Sequence, residues 1–154
     1  MQLVEAQRDT VERRTGLRLE VTRVAVRNLS APRDVELAEG VLTRDVHAVV
    51  ADPDIDLIVE AIGGIEPARE LILASLAAGK PVVTANKAVI ARFGEEIAAA
   101  AAERGVYVLI EAAVGGGIPI IEPLKQSLGG NRIRRVSGII NGTTNYILSR
   151  MADE

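Results

Sequence analysis

Cysteine is absent from the 154 residues, which excludes disulfides, thiolate metal ligands and a thiol nucleophile. Tryptophan is absent as well, and aromatic residues reach only 2%, so a core must be assembled from Ala, Val, Ile and Leu. Basic blocks are missing and the formal net charge is -3, which leaves no electrostatic footprint for nucleic acid or an anionic membrane. No run of ~18 apolar residues is free of charges or turn formers. The opening MQLVEAQRDTVERR has no apolar signal region. These absences point to a soluble, cytoplasmic protein with neither nucleic-acid nor membrane partners. The sole histidine, His47, has no partner in the pattern and reads as a surface residue.

What is present is a hydrophobic content of 48% with charged residues at 25%, ordinary values for one globular domain. Helical spacing marks residues 2–15, ended by Gly16, and a β-branched run over residues 19–26 reads as a strand. After a polar loop, residues 46–50 suggest a short helix. The near-continuous apolar run IDLIVEAI, residues 55–62, is typical of a strand buried on both faces. A helix over 67–77, a strand over 81–84 and a helix over 87–104 follow. The pattern then gives a strand over 106–114, a helix over 119–128, a strand over 133–140 and a helix start over 143–151. Buried strands alternating with helices predict a parallel sheet in an α/β, doubly wound fold, because the chain is short for the ~250 residues of a complete (β/α) barrel.

Residues 111–121, EAAVGGGIPII, draw attention because an apolar run enters three consecutive glycines and restarts behind a proline. This reads as strand, bare-backbone loop and helix, with Pro119 in the helix's first turn. A tight turn without a ligand accounts for the pattern equally well. The G-x-G-x-x-G phosphate loop that opens a dinucleotide-binding fold is not found before the first helix. The sheet is therefore expected to be incomplete at its first strand, with that strand and its phosphate loop lying before Met1.

Three segments, GKPVVTANKAVIA (79–91), EAAVGGGIPIIEPL (111–124) and NGTTNYIL (141–148), together resemble homoserine dehydrogenase in order and spacing. VAVRNLSAPRDVEL (24–37) and VEAIGGIEPARELI (59–72) are also similar to that family. The resemblance implies a Rossmann-like NAD(P)-binding portion over residues 1–140, with a hinge and the start of a catalytic and dimerisation domain over 141–154. It implies NAD(P)-dependent interconversion of L-homoserine and L-aspartate 4-semialdehyde, on the route to threonine, methionine and isoleucine, by an enzyme that is a homodimer at full length.

Carried onto this chain, the resemblance places Lys87 at the cofactor and substrate cleft, as a cation near the nucleotide phosphate or the aldehyde oxygen. Gly63 and Gly64 would meet the nicotinamide ribose side. Glu111, Val114, Gly116 and Ile118 match the family's monovalent-cation site, with Na+ as the ion; only Glu111 offers a side-chain oxygen, and a helix-capping carboxylate is its other reading. Arg27 ends the strand where an acidic residue would hold NAD's ribose, which favours NADP over NAD. Asn141 to Asn145 fall at the hinge, where Thr143 could serve as an N-cap. The family's catalytic aspartate and second lysine follow NGTTN, so a 154-residue piece alone is expected to show negligible activity. A non-catalytic nucleotide- or ion-binding module is the competing expectation.

Overall fold

Five short strands, every pairing between them parallel, alternate with helices in the computed structural model, which describes residues 1–139 and 141–153. The order is α1 (Gln2–Thr15), β1 (Val24–Ala25), β2 (Leu42–Thr43), α2 (Val46–Ala51), β3 (Ile58–Glu60) and α3 (Ala68–Ala77). It continues with β4 (Val82–Thr84), α4 (Lys87–Arg104), β5 (Val108–Leu109), α5 (Glu111–Val114), a π-helical turn (Pro123–Ser127) and α6 (Gly142–Asp153). This is the parallel α/β class that the alternating pattern implied. The strands form two sheets, β1-β2 and β3-β4-β5. A cleft of about 650 Å³ lies between them, with residues of β1 on one wall and of β3 on the other.

The core follows from residues four apart. Ala68, Ile72 and Leu76 make one stripe of α3, and Val89, Ile97 and Ala101 make one stripe of α4; all six are buried and meet Val82 of β4. The i, i+4 repeat puts such residues on one helix face, and each full side-chain burial is worth about 1.5–3 kcal/mol. Phe93 continues the α4 stripe but only partly buried. There the helix bends, Phe93 adopting φ -128° and ψ 15° beside Gly94. The Arg69 guanidinium stands 4.7 Å over the Phe93 ring and pairs with Glu96, so the bend is held from α3 by a cation–π contact and an ion pair.

Several expected elements differ. The strand anticipated over 19–26 is reduced to Val24–Ala25, because β2 offers only Leu42 and Thr43 as partners; β2 itself lay within the stretch read as a polar loop. The anticipated strand over 106–114 stops at Leu109, and Glu111–Val114 is a turn of helix. Alanine and glutamate favour helix, and Ala113 is buried by that turn. Pro119 precedes the next helical residues, which begin at Ile121, and Pro123 sits in the first turn instead. Residues 132–139 find no neighbouring strand among the described residues and stay irregular and exposed; Ile140, the last residue of that expected strand, lies outside the described residues. α1 buries none of its side chains. No described helix is long and apolar enough to cross a membrane.

Candidate functional site

Parallel strands bring their carboxyl ends to one edge of a sheet. β3 ends at Glu60 and is followed by Gly63 and Gly64; β4 ends at Thr84 and is followed by Asn86 and Lys87; β5 ends at Leu109 and is followed by Glu111. All three loops therefore open on the same edge, where ligands of open α/β sheets bind. Arg27 follows β1 and lines the cleft together with Glu60, Ala61 and Ile62. Arg27, Gly63, Gly64 and Lys87 are all exposed. His47, on α2, is exposed too.

The glycine pair is required by its backbone. Gly63 and Gly64 have φ of 78° and 74°, a left-handed conformation that side chains disfavour. A Cβ built on either meets nothing within 4 Å, so the loop's outer side is open to a ligand. Its inner side is fastened. Glu60, 3% exposed, accepts the Ile62 N–H at 2.7 Å and the Thr84 hydroxyl at 2.5 Å. The Asn86 side-chain amide donates to the Gly64 carbonyl at 2.8 Å, and its oxygen accepts the Val89 N–H at 3.2 Å. Asn86 is thus the N-cap of α4, and Lys87 is that helix's first residue. An ammonium at a helix N-terminus adds to the positive end of the helix dipole, a setting that favours phosphate.

Sequence reasoning named Gly63, Gly64 and Lys87 but not Glu60, Thr84 and Asn86, the buried side chains that bond between the ends of β3 and β4. The signal available was a glutamate inside an otherwise apolar strand, a residue rarely buried unless partnered. Arg33 was missed as well. Its guanidinium donates to the Asn28, Leu29 and Ala31 carbonyls at 2.5, 2.9 and 2.7 Å, and so fixes the loop after Arg27.

In the Glu111 loop the carboxylate takes the helix-capping role that was the second of its two readings. The Glu111 carboxylate accepts the backbone N–H groups of Ile120, Ile121 and Glu122, the last two at 3.1 and 2.8 Å. It caps the helical segment that begins at Ile121, satisfying donors that have no intrahelical partner. The Ile120 and Glu122 donors, with help from Ile121 and Lys125 and against partial desolvation, hold its pKa below the usual carboxylate range. The carbonyls of Val114, Gly116 and Ile118 accept no backbone N–H among the described residues. Further along, Asn141 rather than Thr143 caps α6, accepting the Thr144 N–H at 2.8 Å.

The family model for "Homoserine dehydrogenase, NAD binding domain" matches residues 1–111, and that for "Homoserine dehydrogenase" matches residues 119–154. The chain is 65% identical to a homoserine dehydrogenase of Synechocystis over 136 residues, covering 88% of this chain and 31% of the relative. Among solved structures, a homoserine dehydrogenase of Thiobacillus denitrificans superposes with a TM-score of 0.87 at 51% identity, over 99% of this chain and 35% of that one. A hyperthermophilic archaeal homoserine dehydrogenase in complex with NADPH gives a TM-score of 0.65 at 26% identity, over 96% of this chain and 41% of that one. The chain thus spans about a third of the length of the curated relatives it matches.

Proposed function

The chain belongs to the homoserine dehydrogenase family, and from that premise we propose that it carries the nucleotide-binding part of an NAD(P)-dependent L-homoserine dehydrogenase. The observation that carries this reading is the convergence at one sheet edge of the open Gly63–Gly64 loop and Lys87, joined through Asn86. Residues 1–140 form the nucleotide-binding portion and residues 141–154 begin the catalytic and dimerisation portion. The complete enzyme is a cytoplasmic homodimer acting on L-homoserine and L-aspartate 4-semialdehyde.

The residues present fit a dinucleotide. The glycine loop leaves open space for a ribose, Lys87 offers a charge to a phosphate or the substrate oxygen, and Arg27 offers a guanidinium at the end of β1. When bound, NADP supplies or accepts the hydride at the carbon that changes between alcohol and aldehyde. The chain's own residues bind and orient. Gly63 and Gly64 admit the nicotinamide ribose side, Lys87 concentrates positive charge beside the helix terminus, and Arg27 recognises a 2′-phosphate in preference to a bare ribose. The archaeal relative's complex with NADPH supports this choice of cofactor.

The Glu111 loop fits a monovalent cation such as Na+. Three N–H donors occupy the Glu111 carboxylate, which has about four acceptor sites, so one lone pair remains. The unengaged carbonyls of Val114, Gly116 and Ile118 add hard oxygen donors. Here the ion supports the loop and takes no part in the chemistry.

Titration of the purified protein with NADPH tests the reading, with Lys87→Met as the comparison. The variant should bind at least about tenfold more weakly, the loss of one charge-assisted contact. Equal affinity of the two proteins would remove Lys87 from the cofactor site. Binding without homoserine oxidation in the complete enzyme would favour the non-catalytic module.

A further inference from the structure

We propose that Glu60, Thr84 and Asn86 act as a positioning latch that holds the Gly63–Gly64 loop at a fixed spacing from Lys87 at the carboxyl edge of the sheet, where the dinucleotide would bind. Its functional consequence rests on the cofactor reading above; its geometry does not. Glu60 and Thr84 stand opposite each other in the β3-β4 register, and the three side chains are 3%, 0% and 5% exposed. Burying a carboxylate this far is costly unless its oxygens are occupied.

Both oxygens are. The Thr84 hydroxyl donates to one at 2.5 Å and itself accepts the Asn86 N–H at 3.0 Å. The Ile62 N–H donates to the other at 2.7 Å, with the Gly63 N–H and the Asn86 amide at 3.4 and 3.5 Å. The Thr84 bond joins β4 to β3, and the Asn86 amide reaches from the loop after β4 to Glu60 and to the glycine loop. Glu60 holds the beginning of the glycine loop, and Asn86 holds its Gly64 carbonyl while capping the helix that Lys87 opens. A shift of either loop relative to the other must break the Asn86 bonds to Gly64 and Glu60, so the glycine loop and the start of α4 are coupled. The three are positioning residues, buried behind the exposed surface that meets a ligand.

Two substitutions separate positioning from stability. Asn86→Ser retains a good N-cap but removes the amide that reaches Gly64, and Thr84→Val removes the hydroxyl while keeping the shape. Amide exchange at Ile62 and Gly63, exchange at Val89, the thermal midpoint and NADPH affinity are measured on the complete enzyme. In Asn86→Ser, exchange at Ile62 and Gly63, whose N–H groups Glu60 accepts, should accelerate and NADPH affinity should fall, each by about fivefold or more, the effect of one hydrogen bond. Val89 exchange and the thermal midpoint should stay near those of the parent. Thr84→Val should reproduce the affinity loss, and Thr84→Ser should restore it.

Unchanged loop exchange and affinity in Asn86→Ser would overturn the latch, as would Thr84→Ser behaving like Thr84→Val. If the complete enzyme binds no NADPH, the cofactor reading falls, and exchange at Ile62 and Gly63 alone decides for or against the latch.

Discussion

The three consecutive glycines of the Glu111 loop should respond very differently to alanine, because each is needed for a different reason or none. A Cβ on Gly115 would lie 2.4 Å from the Ile118 carbonyl oxygen, where real Cβ atoms essentially never come within 3.0 Å. The loop must give by at least 0.6 Å, the difference of those two distances, and the obstructing atom is backbone, which cannot rotate aside. Overpacking of this kind costs about 1–3 kcal/mol. Gly116 has open space around its Cβ position but a φ of 62°, so alanine there incurs the left-handed penalty of about 1–2 kcal/mol. Gly117 has open space and no positive φ, so alanine is expected to be neutral or to stabilise by about 0.4–1 kcal/mol through the unfolded chain. The readout is amide exchange at Ile120, Ile121 and Glu122, the groups that Glu111 holds. Gly115→Ala should accelerate it by roughly 5- to 150-fold, Gly116→Ala by roughly 5- to 30-fold, and Gly117→Ala not at all, at tenfold per 1.4 kcal/mol. Gly117→Ala matching Gly115→Ala would refute the steric reasoning, and a harmless Gly115→Ala would refute the loop geometry.

Leu76 is fully buried between α3, β4 and α4; Leu76→Ala should lower stability by about 2–5 kcal/mol and the calorimetric midpoint by roughly 5–20 °C. Arg27→Asp should weaken NADPH by about 10- to 100-fold relative to NADH, the range for losing a charged hydrogen bond to phosphate, as measured by fluorescence titration of both nucleotides. Because the Glu111 pKa is depressed in the folded loop, its capping contribution is fully present above the ordinary carboxylate value and is lost as pH falls through the lowered one. Protection of the Ile120 to Glu122 amides should therefore persist through the ordinary carboxylate range and fail only below it, and Glu111→Gln should flatten that dependence. In the complete enzyme, Glu111→Ala should weaken the dependence of activity on alkali ions; unchanged ion dependence would leave Glu111 as a helix cap alone.

How much of this was legible depended on whether the cause was local. The α3 and α4 helices were, because their apolar residues recur at helical spacing, and part of that recurrence, Ile72 and Leu76 on α3 and Val89 and Ile97 on α4, is buried. The 87–104 helix was read to the residue, since Asn86 and Gly105 mark its ends. Strand lengths were not legible. Residues 19–23 and 132–139 have the β-branched composition of strands, yet a strand exists only where a neighbour offers N–H and C=O groups, and neither stretch has such a neighbour among the described residues. The Glu111 turn failed for a related reason. Its apolar run suits either structure, and the Glu111 carboxylate reaches nine to eleven residues ahead to the N–H groups of residues 120–122, a partnership that no local pattern announces.

The site divides along the same line. The exposed residues proposed to meet the cofactor, Lys87, Gly63 and Gly64, could be named from the motifs that carry the family resemblance. Residues that hold those groups in place could not, because Glu60 and Asn86 sit 26 positions apart and become partners only when β3 and β4 pair in register. A glutamate in the middle of IDLIVEAI is unfavourable to every local rule, burial above all. Local inconsistency of that kind is expected where a fold serves a site and not only its own stability. In this chain it marks the point where the end of β3 is tied to β4 and to the start of the glycine loop.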